Sequence, residues 1–95
     1  MRPTAKAIFS FARSVGNQQL VTPHRKRPFR VSVNGESLEF TPGTSSKPRA
    51  ENRAGVEALL SRHAKTGSSQ PGRYADITFN ASYVLALIQL WQTRA

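Results

Sequence analysis

A chain of 95 residues with no cysteine and 38% apolar residues can bury one modest core, and it excludes a disulfide framework, a thiolate metal site and a cysteine nucleophile. The formal charge is +9 and lopsided: Arg2, Lys6, Arg13, Arg25, Lys26, Arg27 and Arg30 all precede the first acid, Glu36. A one-signed field of this kind concentrates polyanions, which makes nucleic acid the leading partner class and leaves a neutral metabolite an unsuitable one.

Ile8, Phe11 or Ala12, and Val15 recur at helical spacing, so Thr4 to Val15 predicts a short amphipathic helix closed by Gly16 and Asn17. The same stretch is free of acids and bears Arg, Ala and Ser, a composition shared with organellar presequences, while Lys6 and Ser10 interrupt it too much for a secretory signal. From Asn17 to Arg27 the chain turns polar and then basic, with His24-Arg25-Lys26-Arg27 between Pro23 and Pro28, which predicts an extended arm. Residues 1–28 are thus expected as a basic helix and arm loosely attached to a compact domain over 29–95.

Phe29, Val31 and Val33 alternate with Arg30 and Ser32, and Leu38 and Phe40 alternate with Ser37 and Glu39. Asn34-Gly35 between the two runs predicts a type I′ β-hairpin, because both turn positions need positive φ. The five apolar residues then share one face; Arg30 looks the other way, with Glu39 across from it. Thr41 to Ser46 reads as a loop feeding a helix from Pro48 to Lys65, capped by Ser45 or Ser46 and stopped by Gly67, with Val56, Leu59, Leu60 and His63 on its inner face. Tyr74, Ile77 and Phe79 suggest a third strand over Arg73 to Phe79. The last helix, Ala81 to Gln92, is apolar nearly all round, with Gln89 the only polar residue inside its run from Tyr83 to Trp91, and must be covered on several sides or form part of a dimer interface. Its longest apolar run, Tyr83 to Ile88, is far too short to span a membrane. The order of elements gives an α+β class: a small single domain with a β-hairpin, a third strand and two to three packed helices.

Two clusters carry the chemistry. Arg25, Lys26, Arg27 and Arg30 would contact phosphates, each displacing condensed counterions; the bland alternative is a solvated charge run, disfavoured because the first three have no acid nearby in sequence. Lys47, Arg49, Asn52 and Arg53 would gather at the start of the second helix, where N–H groups and the dipole attract anions and where Arg and Asn suit guanine and adenine edges. Simple capping by Ser45 or Ser46 accounts for the serines there without a ligand and is the favoured reading of that segment. Phe29-Arg30 and Arg73-Tyr74 could stack single-stranded bases, although such aromatics more often sit in the core. His24 and His63 are isolated and make no zinc site, and Glu36, Glu39, Glu51, Glu57 and Asp76 are too scattered for a metal-dependent nuclease. No metal, cofactor or catalytic residue is expected.

The sequence therefore points to a non-enzymatic nucleic-acid-binding module, DNA ranked slightly ahead of RNA, in an intracellular setting such as cytoplasm or nucleoid, with an organellar matrix as the variant. The competing expectation is a small assembly subunit, of an organelle or a ribonucleoprotein particle, that docks on a protein partner or its own copy through Val84, Leu87, Ile88 and Trp91 of the apolar C-terminal helix.

Overall fold

The computed structural model describes residues 3–16, 18–22, 26–43 and 47–94. Its first helix, α1 (Ala5–Val15), starts where the Thr4 hydroxyl accepts the N–H of Ala7 at 3.1 Å and ends at Gly16, whose φ is +64°. Four antiparallel strands follow in sequence order: β1 (Leu20–Val21), β2 (Pro28–Asn34), β3 (Ser37–Pro42) and β4 (Arg49–Asn52). Helix α2 (Arg53–Thr66), a 3₁₀ turn (Pro71–Tyr74) and helix α3 (Ala81–Arg94) complete an α+β domain.

The hairpin face is built as the alternation requires. Phe29, Val31, Leu38 and Phe40 are buried and Val33 packs partly against them. Tyr83 of α3 closes over this face, its ring 5.3 Å from that of Phe40 in a stacked pair and 5.0 Å from that of Phe29. Truncating Phe29 to alanine would remove a fully buried ring, at a cost of about 3–5 kcal/mol. From α2 the core receives Val56, Leu59 and Leu60, and from α3 it receives Val84, Leu85, Leu87 and Ile88. Helix α1 also contributes, through Ile8, Phe9 and Ala12, and it packs on β2, α2 and α3. The apolar face of α1 is thus part of the common core.

Four sequence expectations change. The hairpin turns at Gly35-Glu36, with Asn34 paired to Ser37, because Gly35 alone takes a positive φ of 61° and a glycine at the first position suits a type II′ turn. Glu39 then lies opposite Ser32 while Arg30 faces Thr41, so Glu39 is a diagonal neighbour of Arg30 on the outer face and not its direct partner. Of the expected extended arm, residues 17 and 23–25 lie outside the described residues, and its ends are joined to the sheet: Val21 pairs with Pro28, and Thr22 and Arg27 bond twice, N–H of Thr22 to the Arg27 carbonyl and N–H of Arg27 to the Thr22 hydroxyl, each at 3.0 Å.

Residues Arg49–Asn52 extend the sheet and do not begin the helix, since Ser37 to Phe40 offer them a free strand edge. The cap of α2 is Asn52, whose side-chain oxygen accepts the N–H of Gly55 at 2.8 Å; the proposed caps Ser45 and Ser46 lie outside the described residues. The helix does stop at Gly67, which adopts the left-handed conformation and bonds the His63 carbonyl at 2.8 Å. Finally, Arg73 to Phe79 is not a strand. Pro71 opens the 3₁₀ turn, Tyr74 is buried with its hydroxyl on the Ser68 carbonyl at 2.5 Å, and the chain turns again to reach α3.

Candidate nucleic-acid interface

In a meander each strand reverses its neighbour, so β2 and β4 run the same way and start at the same end of the sheet. That end receives Lys26 and Arg27 from the loop before β2, and Lys47 and Arg49 from the approach to β4. Residues about twenty apart in sequence are thus neighbours in space through topology alone. All four are exposed, and Lys26 holds a φ of +51°, in a left-handed region that a lysine seldom occupies. Arg30, also exposed, stands on the outer face of the sheet near this end. Arg25 lies outside the described residues.

Asn52 and Arg53 sit at the opposite end of β4, beside the hairpin turn, and do not join this patch. Arg53 is spent on structure: its guanidinium approaches Glu36 at 3.7 Å, bonds Glu57 at 3.1 Å and covers the ring of Phe9 at 5.7 Å. The anion site expected at the start of α2 is occupied by the chain's own acid. Glu51, the residue before the Asn52 cap, turns its carboxylate back against Gly55 and accepts the Thr78 hydroxyl and, at 3.2 Å, the Asn80 amide. A carboxylate there already complements the helix dipole.

The acids are largely consumed in this way. Glu36 and Glu57 pair with Arg53, Asp76 pairs with Arg62, and Glu51 lies within hydrogen bonds. Among the described residues no acid pairs with Lys26, Arg27, Arg30 or Arg49. Lys6, Arg13, Lys65, Arg73 and Arg94 likewise have no acid partner among the described residues, but they stand on separate elements, whereas the shared start of β2 and β4 brings Lys26, Arg27 and Arg49 to one end of the sheet.

Beside that end lies an open groove of about 930 Å³. Arg27 and Arg49 stand at its edge, Tyr83 and Leu85 contribute apolar surface, and Ser82, Gln89 and Gln92 give one stripe of α3 hydrogen-bonding groups. His63, half-buried on α2, faces the same groove. Arg49 points into it because its partner in the ladder, Phe40, faces the core side of the sheet.

No protein-family model, curated protein or solved structure matches this chain. The residues themselves carry the functional argument.

Phe79 is the feature that the third-strand expectation misassigned. It is 95% exposed and borders the groove, whereas the aromatics considered for stacking, Phe29 and Tyr74, are fully buried. Its sequence signal was its place between Thr78 and Asn80, two polar residues that bury themselves and turn the ring outward. Val84, Leu87 and Ile88, considered for a partner interface, are buried in the chain's own core, and Trp91 is half-buried against it. Among the described residues no three metal-ligating side chains gather, and no helix is long and apolar enough to cross a membrane.

Proposed function

We propose that this chain is a non-enzymatic nucleic-acid-binding module that holds the phosphate backbone with the cations at one end of its sheet. The carrying observation is the convergence of Lys26, Arg27 and Arg49 at one end of the sheet without an acid partner among the described residues, while four of the five acids bind Arg53, Arg62, Thr78 and Asn80; Arg30 stands close by on the outer face. Like charges held together repel one another, and a polyanion relieves that repulsion and releases its counterions. The backbone of Arg27 is tied to Thr22 by two hydrogen bonds, so part of the entropy of ordering this cation is met before any ligand arrives. An intracellular place of action, cytoplasm or nucleoid, fits such a ligand and the cysteine-free composition.

The test is a fluorescence-anisotropy titration of the full chain against labelled nucleic acid at several salt concentrations. The logarithm of affinity is expected to fall linearly with the logarithm of salt, with about 0.7 to 0.9 of slope for each phosphate neutralised. Replacing Arg27 and Arg49 together by alanine is expected to flatten that slope by nearly two contacts. An unchanged slope in the double variant, or no binding at low salt, overturns the proposal.

A further inference from the structure

We infer that the groove beside α3 receives unpaired bases, so that the nucleic acid bound by this chain is single-stranded where it meets the protein. This rests on the nucleic-acid reading above and adds to it the class of substrate. The first ground is Phe79, whose ring is 95% exposed at the edge of the groove. It is not exposed because its backbone is loose. On one side Thr78, 7% exposed, donates its hydroxyl to Glu51; on the other Asn80, 6% exposed, donates its backbone N–H to Thr78 Oγ1 at 2.9 Å and its amide to Glu51 at 3.2 Å and to the Ala50 carbonyl at 3.3 Å. Both neighbours are anchored to β4, and the ring between them is held in water by its flanks. A preorganised aromatic face of this kind suits a stacking partner, since little ordering is left to occur on binding.

The second ground is what surrounds the ring. Arg27 and Arg49 lie at the groove edge, where phosphates flanking a stacked base would be neutralised, and Gln89 and Gln92 on the exposed side of α3 present amides that can both donate to and accept from base edges. A groove of about 930 Å³ with cationic edges, an aromatic platform and amide side chains combines the three elements of single-strand recognition. A duplex offers it little. Its base faces are already covered by their neighbours, so Phe79 would have only backbone to meet.

The experiment uses the full chain with short, labelled, mixed-sequence single-stranded DNA, single-stranded RNA and the matched duplex, at near-physiological salt, for wild type, Phe79→Ala and Phe79→Tyr. Because Phe79 is exposed, both variants are expected to melt with the wild type by circular dichroism. Phe79→Ala is expected to weaken single strands by roughly five- to hundredfold, the effect of one lost base–aromatic stack, and to leave duplex binding unchanged; Phe79→Tyr is expected to retain wild-type affinity. The two single-strand arms identify the sugar preferred. Wild-type affinity of Phe79→Ala for single strands, or a duplex bound as tightly as they are, overturns this inference while the phosphate-binding role of Arg27 and Arg49 stands. Absence of all wild-type binding here and at low salt in the titration above overturns both.

Discussion

Arg62 grips Asp76 as a fork: Nη1 donates to Oδ1 at 2.6 Å and Nη2 to Oδ2 at 3.0 Å, while Nη1 also donates to the Arg73 carbonyl at 3.0 Å. The contact ties α2 to the segment between the 3₁₀ turn and Phe79, and so holds one side of the groove. The hydrogen bond from Arg62 keeps the Asp76 carboxyl below its ordinary value. A depressed carboxyl stabilises the fold in full above its unfolded value, about 3.9 for an aspartate, and the contribution is lost as pH falls through the lower folded value. Asp76→Asn is therefore expected to melt slightly below wild type at neutral pH, and the gap is expected to close as pH drops below about 4. The effect stays small because both side chains face water. Thermal melts of both proteins along an acid series measure it, and a gap that widens toward low pH contradicts the assignment.

Gly55 has no room for a side chain because the Glu51 carboxylate fills the space. Alanine favours helices over glycine by about 1 kcal/mol, and on an exposed helix the exchange stabilises. Here Gly55→Ala is expected to destabilise, since the displaced carboxylate gives up its bonds to Thr78 and Asn80, each of about 1–3 kcal/mol for a charged acceptor. On a Glu51→Ala background the same exchange is expected to be neutral or stabilising. Urea midpoints in a double-mutant cycle decide the matter: equal effects of Gly55→Ala on both backgrounds would mean that the carboxylate does not govern this position.

Arg49 and Arg53, four residues apart, are expected to part company. Arg49→Ala should leave the melting temperature near wild type and lower the salt slope of nucleic-acid binding by about one contact. Arg53→Ala should leave the slope alone and reduce stability, because Glu36 and Glu57 lose their partner and Phe9 its cover. A cation above a ring contributes about 0.5–1 kcal/mol at an exposed site. The reverse outcome would move the interface to the opposite end of the sheet.

Leu87 separates core from interface. The side chain is fully buried within one copy of the chain, so Leu87→Ala is expected to cost about 2–5 kcal/mol and Leu87→Glu to abolish folding. A well-folded Leu87→Glu protein that merely dissociates from an assembly, seen by sedimentation, would restore the docking role considered for α3.

The apolar face of the hairpin was legible even though its register was not, and the reason is geometric. Moving the turn from Asn34-Gly35 to Gly35-Glu36 shifts pairing by two positions, which preserves the face of every side chain; a shift of one would have inverted them. The start of α1 near Thr4 and the stop of α2 at Gly67 were likewise written locally, whereas the apolar pattern of α3 left core and interface open. β4 was not, since Arg49-Ala50-Glu51-Asn52 has no strand alternation and helix-friendly residues; it is a strand because β3 presents an edge to it. Apolar content counted Phe79 with Tyr74 and Ile77 toward a third strand, whereas turns place Phe79 in water. The groove could not be read from any single stretch, because residues 27, 49, 79 and 89 meet only once the sheet and α3 are assembled.

The sequence-order meander also bears on how the molecule comes together. Every strand pairs with the strand next to it in the chain, so the sheet zips through short loops and little configurational entropy is lost in closing each one. The long-range event is the meeting of α1 with α3, which come from opposite ends of the chain and cover the same core. Docking of α3 is therefore the step that closes the largest loop, and it is also the step that completes the groove. Without α3 packed against the sheet, Arg27 and Arg49 have no groove beside them, so the integrity of the groove is tied to the packing of the two chain ends on one core.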